Sequence, residues 1–453
     1  MTPSCRACQN AVVLFKIETA HKMQSSFEQH RDLLTASVSD AVLLPLIAEA
    51  GARQSWWRAD RTWKRTYGSF DPLQTALITL LFETEAEPQE ICHVEIFAAK
   101  PEGISDAEFV LAHEAFGWLK LTRFPHDAQL PTLASVLKNS PPAKVLRYRP
   151  RKRCTIRFEA RNGGARQFAK IFPDERGRQL HEESLALWQM AQTGVLQFNV
   201  ARPCKWEAAT RTLWQEAVPG APIIEQLKST EGVALAERLG RAAASLTRAP
   251  LAPHEVLDAH AQLQRTRRYA EDLCRRVPSL QDEIDLLLAR LAALHAAIPA
   301  RALVPIHGSP HPQQWLVEGE RLGLVDFDRF SWGDPELDVA TFIAEMDFED
   351  RAKYPVEQIN RAFIAGYETL AGELRRDLLA AYRAHKQFSK ALKAARSVRP
   401  DGETRAAKNL KRAIYALSEN FDSKAFPPNN AEATAFHRRF SITASRSEAF
   451  WGE

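Results

Sequence analysis

The residues with the clearest capacity for chemistry lie in one stretch. Ile306-His307-Gly308-Ser309-Pro310-His311-Pro312-Gln313-Gln314-Trp315-Leu316-Val317 is followed, after a short turn, by Leu324-Val325-Asp326-Phe327-Asp328. Imidazole, hydroxyl and amide groups come first, then apolar positions, then carboxylates. The pattern predicts a loop, a short strand, a Gly-containing turn at Glu318 to Glu320 and a second strand, apolar until it ends in an Asp. Such a hairpin brings one polar loop and one carboxylate to the same spot. Hard divalent cations take carboxylate and amide oxygens, so the spot suits a metal and a phosphate.

The elements that must position this stretch lie on both sides of it. Three antiparallel strands are expected at Val145 to Tyr148, Cys154 to Ala160 and Arg166 to Phe172, with Asn162-Gly163-Gly164 as a hairpin turn. The third strand carries Lys170. A helix over Gly177 to Gln192 follows, in which Glu183 shares a face with Leu180, Leu187 and Met190. That face should point inward, making Glu183 the better ion-pair partner for Lys170, with Glu182 as the alternative. Leu213 to Val218 reads as an apolar strand running into Pro219-Gly220. Helical spacing recurs over 231–247, 255–276 and 279–297, and the last is expected to support the hairpin. Pro335, preceded by Asp334, begins another helix. It carries Glu336, Asp338, Glu345, Asp347, Glu349 and Asp350, read as a solvated acidic face or as a contact for a cationic substrate such as an aminated sugar. Lys386, Lys390 and Lys393 line a further helix, read mainly as solvated.

His-Gly-x-x-His-Pro, then Val-Asp-Phe-Asp, then Gly333-Asp334-Pro335 and Asp338, in this order, resemble the aminoglycoside phosphotransferase family and its choline-kinase-like members. The resemblance covers roughly residues 140–350. It implies an α+β, protein-kinase-like, two-lobed fold: a small antiparallel β lobe plus a larger helical lobe, here with an N-terminal α/β accessory region. It implies a magnesium-dependent transfer of the γ-phosphate of ATP or GTP to a small-molecule hydroxyl. On this pattern Asp326 and Gln314 are the metal ligands, and Lys170, oriented by Glu183, grips the phosphates. His307 shapes the loop and Asp338 holds it. The backbone of Gln215, Glu216 and Ala217 forms the hinge that meets the base. Ser309 stands where the family has a catalytic Asp, and Gln314 where it has Asn. His311 and Asp328 are candidate substitutes for the missing base. No Gly-rich loop precedes Lys170. Arg149-Pro150-Arg151-Lys152-Arg153 occupies its place, with Arg151 either covering phosphates or sitting in a solvated turn. The alternative reading, carried by Ser309, is a pseudokinase that binds nucleotide or serves as a scaffold for a protein partner.

The remaining chain bounds these readings. A length of 453 residues, 45% hydrophobic and 26% charged, is that of an ordinary multidomain globular protein. A net charge of +4 gives no global field for nucleic acid or a membrane surface, and no apolar run approaches a membrane span. Six cysteines are too few for a disulfide framework, so cytoplasmic residence is the default. Cys5-Arg6-Ala7-Cys8 is a lone pair in a tail over 1–22 expected to be disordered. Residues 23–140 form the accessory region: 25–66 read as helical, 72–99 as two strands and 105–119 as a helix capped by Ser105. Trp56, Trp57 and Trp63 among basic residues read as a packed edge rather than a base-stacking surface. The kinase-like N-lobe is expected over 141–217, the helical C-lobe over 218–424 and a tail over 425–453. Ser309 as a hydrolase nucleophile is disfavoured, because the flanking Gly pattern of a nucleophile elbow is missing.

Overall fold

The computed structural model describes residues 39–52, 62–71, 76–84, 89–114, 117–138, 143–159, 165–299, 301–349 and 353–418. The Cys5/Cys8 pair, both expected tails, Leu33, Leu34, Trp56, Trp57, Pro141-Pro142 and Asn162-Gly163-Gly164 lie outside them.

Helix α1 (Asp40–Ala52) precedes five strands: β1 (Trp63–Phe70), β2 (Ile78–Thr84), β3 (Ile91–Phe97), β4 (Glu108–His113) and β5 (Gly117–Arg123). They form one antiparallel sheet in the order β1-β2-β3-β5-β4. Two expectations change here. Of residues 25–66, read as helical, 40–52 form a helix, whereas Trp63 opens a strand and shares a core with Leu43 and Ile47. The helix expected over 105–119 is a hairpin instead. Phe109 and Leu111 alternate onto the face that packs with Leu119 and Leu121, and this cross-strand packing wins over local helix propensity. Gly117 serves that hairpin with φ +70°, and a Cβ there would lie 2.7 Å from the Phe97 carbonyl oxygen. Ser105 caps no helix; its N–H and hydroxyl both donate to Glu108.

After α2 (Leu133–Lys138), a second antiparallel sheet is built from β6 (Ala143–Arg149), β7 (Arg153–Phe158), β8 (Gln167–Ile171), β9 (Pro203–Glu207) and β10 (Thr212–Glu216), in the order β6-β7-β8-β10-β9. The expected three strands pair as read, with Phe158 opposite Gln167. Helix α3 (Arg176–Gln192) packs on this sheet. Leu81 and Ile91 of the first sheet share a core with Leu133, Tyr148, Ile156 and Ile171, which joins the two sheets.

The chain then turns mainly helical. Its elements are β11 (Ala221–Pro222), α4 (Gly232–Leu246), β12 (Glu255–Leu257), α5 (Ala259–Arg276), α6 (Gln281–Ala297), β13 (Val304–Ile306), β14 (Trp315–Glu318), β15 (Arg321–Leu324), β16 (Ser331–Gly333), α7 (Pro335–Met346), α8 (Val356–Ala371), α9 (Arg376–Arg396) and α10 (Gly402–Ser418). β14 and β15 are the expected hairpin, and β11 pairs with β14. Their apolar residues Trp315, Val317, Leu322 and Leu324 join the core of α4, α7 and α8. Helix α6 does not support this hairpin. Ile284, Leu287 and Leu291 pack with α5, α9 and α10 in a second core, because its neighbours in the bundle are those helices. Among the described residues no helix is long and apolar enough to cross a membrane.

Candidate active site between the sheet and the helical lobe

A cleft of about 340 Å³ opens between the second sheet and the β14–β15 hairpin. Apolar side chains from both sides line it, among them Phe168, Leu187, Val200, Leu213, Leu316, Leu324 and Phe327. Its charged end holds Lys170, Arg153, Asp326 and Asp328. β8 ends at Ile171 and sends Lys170 into the cleft. The hairpin ends at Leu324, after which Asp326 adopts φ +72°. A non-glycine residue held in this left-handed region is a mark of functional sites.

The Lys170 ammonium bridges the two carboxylates, at 2.8 Å from Asp326 Oδ1 and 2.7 Å from Asp328 Oδ1. Arg153 completes the group by pairing with Asp328. Burial alone would favour the neutral amine. The charges of Asp328 and Asp326 outweigh it and raise the Lys170 pKa above its ordinary value. Burial would likewise raise Asp326, but the neighbouring Lys170 holds it well below the usual carboxylate range. Two cations and two anions thus share one partly dry site.

The expected Lys170–Glu183 ion pair is not made. Glu183 is buried on α3 as its spacing indicated, but its Oε1 takes the N–H and ring Nδ1 of His254, at 3.2 and 2.8 Å. The helix face was read correctly; its direction was not, because the partner comes from a distant segment. Arg151 is also placed elsewhere. It turns at φ +62°, donates its N–H to Asp127 and pairs with Glu95 of the first sheet at 2.6 Å. Of that basic turn Arg153 lines the cleft, joined by Arg147 from β6. Alternation along β6 and β7 was the available signal: Arg153 lies on the side of Thr155, away from buried Cys154. Gln215 and Glu216 line the cleft at the expected hinge. Ala217 does not, and its N–H is bonded to the Arg166 carbonyl at 2.9 Å.

The loop that carries Ser309 is fixed from below. Asp338 receives the His307 N–H at 2.7 Å and the Gly308 N–H at 2.8 Å, one on each oxygen. Burial pushes its carboxyl up to about 7, against the pull of those two hydrogen bonds. Gly308 has φ +79°, and a Cβ there would lie 2.3 Å from the Arg329 carbonyl oxygen, so only glycine fits. His307 is fully buried; its Nε2 faces the Val325 carbonyl at 3.2 Å and its Nδ1 accepts the Ser309 N–H at 3.3 Å. Burial lowers its pKa to about 4, so the ring is neutral and braces the loop. Its Nδ1 is therefore spent on a backbone N–H, and no Ser-His-Asp relay is formed. Gln314 accepts the His311 N–H on Oε1 at 3.1 Å and sets Nε2 toward Asp326 at 3.3 Å. The amide nitrogen faces the carboxylate, so Gln314 would have to exchange its His311 bond before its oxygen met a metal.

The acids after Asp334 are not a solvated face. Asp334 takes Arg375 and Tyr382, Glu336 pairs with Arg301, Glu345 pairs with Lys386 and Lys390, and Asp347 pairs with Arg383. These partners come from α9 and from the segment before β13, which a local reading does not see. Asp350 lies outside the described residues.

Neutral His307 carries a pH prediction. Its folded pKa is depressed below about 6.5, so the unfolded state binds more protons between pH 4 and 6.5 and stability falls as pH drops through that window. The shift corresponds to roughly 3 kcal/mol at most. Urea unfolding at pH 7 and pH 4.5 should show a smaller acid loss in His307→Gln than in the wild type. Equal losses would mean that the ring is charged or exposed in the folded protein.

Residues 155–385 match the family model described as the phosphotransferase enzyme family, APH, over more than half of the chain. The chain belongs to the phosphotransferase enzyme family. Its small antiparallel sheet, its helical lobe and the cleft between them form the kinase-like fold of that family. The family match begins within β7 and ends within α9, so the first sheet stands outside it. Three solved structures with similar folds are a choline/ethanolamine kinase family protein from Mesorhizobium loti, a choline kinase from Streptococcus pneumoniae, and a spectinomycin phosphotransferase in complex with ADP and spectinomycin. The first is 17% identical, covers 64% of this chain and 92% of its own, and has a TM-score of 0.44. The second is 13% identical with 63% and 99% covered and a TM-score of 0.46. The third is 12% identical with 66% and 96% covered and a TM-score of 0.44. No curated protein matches the chain.

Proposed function

We propose that this phosphotransferase family member binds ATP or GTP in the cleft and transfers the γ-phosphate to the hydroxyl of a small molecule. The observation that carries this reading is the Lys170 bridge to Asp326 and Asp328 at the charged end of an otherwise apolar cleft. The apolar walls suit a base, and the hinge backbone at Gln215 and Glu216 borders them. Lys170 and Arg153 are placed to take phosphate oxygens as charge-assisted donors. Two carboxylates that converge on one ammonium are a fitting donor set for magnesium, which binds through one or two carboxylates together with substrate phosphates. Asp326 and Asp328 would hold that ion, which would neutralise phosphate charge. In the transfer, the acceptor oxygen bonds to the γ-phosphorus, the bond to the β–γ bridging oxygen breaks, and the nucleoside diphosphate leaves. The hydroxyl proton passes to water, since Ser309 is a poor base. His307, Gly308 and Asp338 keep the loop in place for the acceptor. Such chemistry rests mostly on positioning and electrostatics.

Ser309 favours a second reading, a pseudokinase that keeps the nucleotide site without transfer. Both readings require nucleotide. Thermal unfolding with ATP, GTP or ADP and magnesium should show stabilisation that Asp326→Ala removes. A ligand at about 100 times its dissociation constant contributes roughly 2.7 kcal/mol. No shift with any of the three nucleotides would sink both readings.

A further inference from the structure

The first sheet stands outside the family match, yet it reaches the cleft through one turn. On β3, Cys92, Val94 and Ile96 face the core shared with α1, so the alternate residues Ile91, His93 and Glu95 face the second sheet. Glu95 is a carboxylate only 2% exposed on that inner face, where an unpaired charge is costly. It holds Lys120, its cross-strand neighbour on β5, at 3.0 Å and Arg151 of the β6–β7 turn at 2.6 Å. Lys120 has a second partner in Glu108, at 2.8 Å. Asp127, in the connector after β5, accepts the Arg151 N–H and the Tyr148 hydroxyl on one oxygen, each at 2.8 Å. Arg149 lies over the Tyr67 ring of β1, its guanidinium carbon 4.3 Å from the ring centre, and Phe124 meets Tyr148 edge-on at 5.1 Å. Tyr67, Glu95, Phe124 and Asp127 therefore grip the turn from both flanks. Arg151 sits in it at φ +62°, a conformation that a residue other than glycine keeps only where its surroundings impose it.

The backbone of this turn is already in use. The Arg151 N–H goes to Asp127 and the Lys152 N–H to the Arg149 carbonyl at 3.0 Å. Phosphate cover from this side therefore falls to a side chain. Arg153 opens β7 directly after Lys152, lines the cleft and pairs with Asp328, which also holds Lys170. We propose that the first sheet and its connector set this turn, with Glu95 and Asp127 as positioning residues that act through Arg151 to keep Arg153 at the nucleotide phosphates. An arm held in place beforehand loses less freedom when the ligand arrives, so the grip appears as affinity for the phosphate chain. This rests on the nucleotide reading and gives the sheet outside the family match a part in the same site.

The test is titration calorimetry of the full chain with ATP and GTP in magnesium, beside adenosine and guanosine, which carry the base and sugar without phosphate. Arg151→Gly removes the guanidinium and leaves a residue at ease with φ +62°. It should weaken the triphosphate roughly 5–50-fold and leave the nucleoside within about twofold. Glu95→Gln should act in the same direction. Should that buried change disturb folding, Arg151→Gly carries the test, because the Arg151 side chain is 45% exposed. In an Arg153→Met background Arg151→Gly should cost nothing further, since the group it positions is gone. This cycle decides alone where the nucleoside binds too weakly to titrate. A role in stability only would weaken nucleoside and triphosphate alike, or would add in full to Arg153→Met. Either result would overturn the proposal, as would wild-type triphosphate affinity in Arg151→Gly or in Arg153→Met, and each leaves nucleotide binding by the wild type standing. No binding of either triphosphate by the wild type would sink the nucleotide reading and this proposal with it.

Discussion

Replacing Asp338 with alanine is expected to destabilise the protein by roughly 2–6 kcal/mol at pH 6, because two buried N–H groups lose their acceptor at about 1–3 kcal/mol each. Those groups belong to His307 and Gly308, so the loss falls on the loop that presents Ser309. The size of the effect should depend on pH. The Asp338 carboxyl is raised to about 7 in the fold, from about 3.9 in the unfolded chain. Its contribution is therefore fully present below pH 4 and fades as pH rises through 7, by up to roughly 4 kcal/mol. The gap between wild type and Asp338→Ala should narrow between pH 6 and pH 8. His307 titrates over a partly shared window with the opposite sign, but it is present in both proteins and drops out of the difference. Asp338→Asn should fall between the two, since an amide offers one acceptor oxygen and turns a donor toward the second N–H. Urea unfolding followed by tryptophan fluorescence reads all three. A loss below about 0.5 kcal/mol at pH 6, within the scatter of ordinary surface changes, would show that the loop is held by other contacts. The nucleotide-induced shift should survive in the variant, because Lys170, Asp326 and Asp328 make no contact with Asp338.

What could be read from the sequence follows from how local each signal is. The β14–β15 hairpin and the Asp that closes it are encoded within a few residues, by apolar runs, a Gly-containing turn and two carboxylates. The strand bearing Lys170 was equally legible in the run Arg166 to Phe172. Partners were not. Glu183 sits on the inward face its spacing indicated, yet it meets His254, and Lys170 finds Asp326 and Asp328 from a segment more than a hundred residues away. Arg151 sits within a tight turn and Arg153 opens the strand after it, so side-chain chemistry alone could not choose between them. Residues 105–119 show the other failure. Their helix signal was real, but Phe109 and Leu111 bury more as a strand beside β5. The acids on α7 were misread for a related reason: their cations lie on α9, and no spacing rule links two helices across a core.

Restoring a carboxylate by Ser309→Asp is expected to raise nucleotide turnover by about 10²–10⁴-fold if the phosphotransfer reading is right, the range that a positioned general base contributes. The site is otherwise prepared for one. Asp338 and His307 hold the loop, and the Ser309 N–H is already fixed to His307 Nδ1. The new side chain would extend from a backbone that need not move. The readout is ADP release with water and with a panel of small hydroxyl compounds as acceptors. A rise with one of those compounds above the rise with water would support the reaction. No rise in any arm, with nucleotide still bound as judged by thermal shift, would mean that the geometry beyond the base has been lost as well. Lys170, Asp326 and Asp328 would then serve binding alone, and the protein would be a pseudokinase whose output is a conformation rather than a product.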